Sequence, residues 1–174
     1  MHITTEGRGL GWLRDYPDWR DYTPAKQELD PPKGEDRTVP QLLTQVGVEE
    51  PKDEALLPPK VDLTERFSPI EDQRNLGSCT ANAGAGILEY FELNAMGRYI
   101  DASRLFLYKA TRDLMGAHGD TGAFLRTTME AMVTFGVCPE QYWPYTDDAS
   151  RFDREPVRSA IRSPRTIGPS STTG

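Results

Sequence analysis

Prolines set the first limit on what this chain can fold into. Pro24, Pro31, Pro32, Pro40, Pro51, Pro58 and Pro59 all fall within the first 60 residues. Each fixes φ and removes a backbone donor, so no helix can lengthen there. With Asp, Glu and Lys between them, residues 1–60 read as an extended arm rather than a core. Two apolar stretches interrupt it: the aromatic cluster Trp12, Tyr16, Trp19 and Tyr22, and the run Val39, Pro40, Gln41, Leu42, Leu43. Both can dock on another surface. The plainer reading is a strap packed on the chain's own domain, and the sharper one is a segment lying over a cleft.

From Val61 the pattern changes. Asp62 to Phe67 leads through a turn at Ser68 and Pro69 to Gln73-Arg74-Asn75-Leu76-Gly77-Ser78-Cys79. A helix is then predicted from about Thr80 to Asn94, with Ala81, Ala85, Leu88, Phe91 and Ala95 near helical spacing. Ala83, Gly84 and Gly86 add small side chains that let another backbone approach. A second helix is predicted over Ala102–Leu114, with Leu105, Tyr108, Thr111 and Leu114 on one side, and the stretch Gly116 to Asp120 breaks it. A third spans Gly122–Phe135, with Leu125, Met129, Met132 and Phe135 as its stripe and Gly136 at its C-terminal stop. Three helices with almost no strand between them make a mainly α subdomain over residues 61–148. Residues 149–174 lack either periodicity and read as a disordered tail.

Composition narrows the function classes. A net charge of −7 argues against nucleic acid as a partner, because phosphate contacts need clustered Lys and Arg. No apolar run approaches the roughly 20 residues a membrane span needs, and the N-terminus has neither the basic start nor the apolar stretch of a secretory signal. The expectation is a cytoplasmic protein with no membrane partner. Cys79 and Cys138 are expected as free thiols, with no cofactor and no metal.

Cys79 stands where a glycine-containing loop meets a long helix. Unsatisfied N–H groups and the positive end of the helix dipole favour a thiolate there, so a nucleophile belongs at that place. Six residues earlier, Gln73 offers a carboxamide that can join the Cys79 N–H in holding a developing oxyanion. Cys138 carries no such context and reads as a small buried hydrophobe.

The segment Gln73-x-x-x-Gly77-Ser78-Cys79, preceded by Val61-Asp62 and followed by a small-residue helix, resembles the nucleophile segment of the papain-like cysteine peptidases. Gly119-Asp120-Thr121-Gly122, a helix, Gly136-Val137-Cys138-Pro139-Glu140 and Trp143-Pro144-Tyr145 are similar to the bacterial branch of that family. The resemblance implies the helical subdomain of the papain-like α+β fold. It also implies a peptide or protein substrate, Cys79 and Gln73 as catalytic residues, and Gly77, Ser78 and Gly122 along the substrate. The arm would then be propeptide-like. The family's usual cysteine three residues before the nucleophile is Leu76 here, so its loop disulfide cannot form. The aromatic residue that the family commonly places just after the nucleophile is also absent, and Thr80 follows Cys79.

A thiolate of this kind needs an imidazole and a third group to orient it. In the papain-like pattern these lie roughly 130 to 150 residues after the cysteine, a distance this chain does not reach. Its histidines are His2 in the arm and His118 in the glycine-rich turn. His118 reads as a solvated loop residue rather than a substitute base. The expectation is a peptidase by family that is truncated and inactive as it stands, with the alternative of a non-catalytic binding module or half-enzyme completed by a separate β-rich domain. From Arg162 onward a shifted reading frame permits Phe-Ala-Gln-Asn-Tyr-Arg-Ala-Leu-Glu-Tyr-Tyr-Arg, so the tail is also expected as a frameshift product.

Overall fold

The computed structural model describes residues 3–5, 8–18 and 58–156. Trp19, Tyr22, the run from Val39 to Leu43 and the tail from Arg162 lie outside the described residues. The chain divides into two compact units, one made of Met1–Asp15 with Leu63–Gly174 and one of Tyr16–Asp62. In the second unit Lys60 Nζ meets the Asp62 carboxylate at 3.1 Å, both side chains largely exposed. Every element named below belongs to the first unit.

Three α-helices carry that unit: α1 over Cys79–Met96, α2 over Arg104–Leu114 and α3 over Leu125–Phe135. Helix α1 outruns its expected end by two residues and stops where Gly97 adopts a left-handed conformation, φ 67° and ψ 10°. Helix α2 begins at a side-chain cap, the Ser103 hydroxyl accepting from the Phe106 N–H at 3.1 Å. Its expected first two residues, Ala102 and Ser103, are instead the lead-in and the cap.

Helix α2 lies at the centre. Leu105, Phe106, Leu107, Tyr108 and Ala110 are all buried, and withdrawing each Leu from water contributes about 1.5–3 kcal/mol. Two cations of the same helix are buried and meet carboxylates that stay partly or largely exposed. Lys109 meets Asp113 at 2.7 Å and Glu155 at 2.9 Å, and Arg104 meets Glu71 at 2.9 Å.

The inward faces of α1 and α3 differ from the expected stripes. On α1, Ala81, Gly84 and Ala85 are buried, but Phe91 is 63% exposed. Glu89 and Glu92 take the inward places because their carboxylates accept the N–H groups of Ala102 and Ile100, each at 2.8 Å. On α3, Thr128 and Ala131 are buried, whereas Leu125 and Phe135 are exposed. Small side chains face the neighbouring helices so that the backbones can come close, and the larger apolar residues sit at the margins.

Strands are short. Ile3–Thr5 (β1) and Arg8–Leu10 (β2) pair antiparallel, Ile3 opposite Leu10. Trp12–Leu13 (β3) pairs in parallel with Ala123–Phe124 (β4), Trp12 opposite Ala123 and Leu13 opposite Phe124. The expected third helix therefore starts later than Gly122, because Ala123 and Phe124 are drawn into a ladder by the N-terminal residues. Packing also reaches past residue 148: Phe152 is buried against Leu76 and Leu105. No helix among the described residues is long and apolar enough to cross a membrane.

Candidate active site

Cys79 is the first residue of α1 and is half-buried; Leu76, Gly77 and Ser78 before it are buried. The loop that presents it is pinned from one side by Tyr145. The phenol donates to the Gln73 carbonyl at 2.7 Å and meets the Ser78 hydroxyl at 2.6 Å. Asn82, one turn into α1, donates to Ser78 Oγ at 3.1 Å and to the Ser78 carbonyl at 2.9 Å. Burial raises the Tyr145 phenol above its ordinary value, so at neutral pH it remains a donor.

Within the loop, Arg74 has φ 51°, the left-handed region that a residue with a side chain seldom adopts. Its N–H donates to Asp72 Oδ1 at 2.9 Å, and its guanidinium meets Asp147 at 3.3 Å. These bonds hold the turn that separates Gln73 from Cys79. The Gln73 carboxamide donates to the Leu76 carbonyl at 3.0 Å.

A second element meets the loop at Gly77. The Gly77 N–H donates to Asp120 Oδ1 at 2.9 Å, and the Tyr108 hydroxyl donates to the same oxygen at 2.6 Å. Tyr108 Oη in turn accepts from the Gly122 N–H at 3.0 Å. One carboxylate and one phenol thus tie the nucleophile loop to the glycine turn. Burial and the bond to Asp120 push the Tyr108 phenol far up, and it stays protonated.

The turn itself is anchored by Asp153, whose carboxylate accepts from the Gly119 N–H at 2.8 Å and from Arg112 at 2.6 Å. His118 is exposed on this turn. Cys138 is buried, and burial pushes its thiol up to about 11, with a Ser103 hydrogen bond opposing the shift. Among the described residues no group of three or more His, Cys, Asp or Glu is placed to hold a metal ion.

The structure therefore brings Gly77, Ser78, Cys79 and Gly122 into one locality, with Gln73 on the same loop. Tyr108, Asp120 and Tyr145 connect these parts. The sequence offered Asp120 and Tyr145 only as members of matching segments and Tyr108 only as a core residue. Nothing local marks a hydroxyl for a carboxylate twelve positions on.

No family model matches the chain. Over 149 residues it is 33% identical to an uncharacterized peptidase C1-like protein of Acanthamoeba polyphaga mimivirus, a match covering 83% of this chain and 45% of that relative. Its fold is similar to the crystal structure of xylellain, a cysteine protease from Xylella fastidiosa. That match has a TM-score of 0.63 and 29% identity over 92% of this chain and 56% of the other. The chain spans about half the length of these relatives. By homology and by fold it is similar to the papain-like cysteine peptidases over a part of their length.

Proposed function

We propose that the chain supplies the nucleophile half of a cysteine peptidase acting on peptide or protein substrates. The Cys79 thiolate attacks the scissile carbonyl, and the Cys79 N–H and the Gln73 carboxamide hold the oxyanion. The backbones of Gly77 and Gly122 run beside the substrate. Supporting this above all is the placement of Cys79 as the half-buried first residue of an 18-residue helix. Helix N–H groups that lack intrahelical partners gather at that end, where a backbone donor can meet a developing oxyanion. Gln73 must exchange or share its bond to Leu76 to reach an oxyanion.

The leaving amine needs a proton from an imidazole. His118 is exposed on the glycine turn, which fits a solvated side chain better than an ion-pair partner for Cys79. We take the imidazole to come from a complementing β-rich domain, and this chain by itself to have negligible turnover. A thiol-reactive epoxide tests the nucleophile directly. Peptide mapping after labelling at neutral pH should find the adduct on Cys79 and none on Cys138, whereas no adduct on Cys79 removes the proposal.

A second reading, a non-catalytic peptide-binding half, draws support from the Gln73 carboxamide being engaged with Leu76. The two readings part on one measurement: peptide hydrolysis after mixing with the C-terminal half of a longer relative. Hydrolysis that vanishes in Cys79→Ala supports the enzyme, and binding without hydrolysis supports the module.

A further inference from the structure

Arg104 stands where local rules favour another residue. It is the first residue of α2, where the helix end favours an anion, and only 8% of its side chain is exposed. Its Nε is buried with no partner among the described residues. Burying a cation is costly enough that an apolar side chain of similar size often serves stability as well. The contacts Arg104 makes give the reason for its place.

Each of them leads to the loop that presents Cys79. Nη1 donates to the Asp72 carbonyl, next to Gln73, at 3.4 Å and to Asn82 Oδ1 at 3.2 Å. Asn82 carries this hold onward, because its amide nitrogen donates to the Ser78 carbonyl and hydroxyl. Nη2 meets Glu71 at 2.9 Å and Glu140 at 3.9 Å, and the Glu140 carboxylate accepts the Tyr145 N–H. The guanidinium also lies 4.3 Å from the centroid of the Tyr145 ring, whose hydroxyl joins Gln73 to Ser78. One planar group thus fixes residues 71–72 ahead of Gln73, α1 behind Cys79 through Asn82, and Tyr145 across the loop. A lysine would have the charge without the fork.

We propose that Arg104 is a positioning residue for acyl transfer at Cys79, setting the spacing between the Gln73 carboxamide and the Cys79 N–H so that both meet one oxyanion. The Gln73 carboxamide is bonded to the Leu76 carbonyl. It reaches an oxyanion only if the backbone beside it stays in place while the side chain turns, and Arg104 supplies that hold at the Asp72 carbonyl. The proposal rests on the peptidase reading and adds to it a residue that acts through others.

Two reagents at the same thiol test it in the full chain. With a p-nitrophenyl ester, the Cys79 sulfur bonds to the carbonyl carbon through an oxyanion, and nitrophenolate leaves with the electron pair of the broken C–O bond, needing no imidazole to protonate it. With the epoxide, the sulfur bonds to a ring carbon, the C–O bond opens and water protonates the oxygen, so no carbonyl oxyanion forms. In Arg104→Met, acylation of Cys79 should fall about tenfold or more relative to its alkylation, while the amides of Leu107 and Thr111 in α2 keep their protection from exchange and report an intact fold. A packing role alone would move both rates together, and an unchanged ratio overturns the proposal. If Arg104→Met loses the protection of α2, Arg104→Lys decides: a ratio lowered about threefold or more supports the proposal, and the parent's ratio overturns it. Gln73→Ala separates the two readings. A parent chain that takes no acyl group at Cys79, or one that is acylated as fast in Gln73→Ala, sinks the peptidase reading and the proposal with it. Acylation that needs Gln73 but ignores Arg104 sinks the proposal alone.

Discussion

The Asp153 carboxylate meets the Arg112 guanidinium at 2.6 Å, and the arginine side chain is wholly buried. Arg112 also donates to the Gly119 carbonyl at 2.6 Å and lies over the Tyr108 and Phe152 rings, 4.1 and 5.3 Å from their centroids. Removing the carboxylate would leave a buried cation with one partner fewer. Asp153→Ala should therefore destabilise the fold by about 2–4 kcal/mol, a little less than a fully buried pair because Asp153 keeps some solvent contact. Urea denaturation of the variant against the parent chain reads this directly.

The same carboxylate predicts an acid limb. Burial alone would raise its titration, but the Gly119 N–H and Arg112, with Lys109 nearby, outweigh that and hold it below the ordinary 3.8. A lowered folded value gives stability that is present above 3.8 and lost as pH falls through the folded value. Asp153→Asn should flatten this part of the stability profile below pH 3.8 measured by denaturant titration, and a profile identical to the parent's would contradict the assignment.

Glu89 predicts the opposite slope. Burial raises its titration above 4.5, and the bond from the Ala102 N–H offsets this only in part. A raised folded value gives stability that is full below the unfolded value and lost as pH rises through the folded one. Glu89→Gln keeps an acceptor for Ala102 and cannot ionise. The stability difference between variant and parent should move in the variant's favour as pH rises from 4.5, the reverse of the trend expected for Asp153→Asn.

Two glycines on α1 should answer to alanine with opposite signs. A Cβ on Gly84 would sit 3.0 Å from Met132 Sδ and 3.1 Å from Leu107 Cδ2, whereas one on Gly86 would meet nothing within 4 Å. Gly86→Ala should stabilise by up to about 1 kcal/mol through helix propensity. Gly84→Ala gains the same propensity but overfills the contact among α1, α2 and α3, a cost of about 1–3 kcal/mol. Thermal melts of the two variants should shift in opposite directions or, at the least, differ by more than the propensity gain.

These glycines also show what the sequence could and could not reveal. Helix ends were legible, because caps and periodicity are local: α2 and α3 finish at Leu114 and Phe135, as their breakers imply. Inward faces were not, because Phe91, expected inward, is exposed, while Glu89 is buried and accepts the Ala102 N–H in the loop after α1. Cys79 and its loop could be read from a motif. The bonds that fix that loop, from Asp120, Tyr108 and Tyr145, join residues far apart in the chain and have no local signature. β4 was missed for a related reason, since two residues become a strand only when Trp12 and Leu13 lie alongside them. Composition made the stretch after residue 148 look like a tail, yet Phe152 and Asp153 serve the buried arginine of α2.

Tyr145 gives the sharpest probe of that concealed part. Its hydroxyl joins the carbonyl of Gln73 to the hydroxyl of Ser78, so it grips the nucleophile loop on both sides of the Leu76–Gly77 stretch. Tyr145→Phe keeps the ring against Arg104, which lies 4.3 Å from its centroid, and removes only the oxygen. The buried Ser78 and the half-buried Gln73 each lose a bond, at a cost of about 1–3 kcal/mol. A purely structural role would lower stability and leave the two thiols in their present order of reactivity. If the hydroxyl sets the loop that presents Cys79, epoxide labelling of Cys79 should slow by more than the stability loss explains, under conditions where the chain remains folded. Labelling at the parent's rate in a destabilised variant would assign Tyr145 to packing alone.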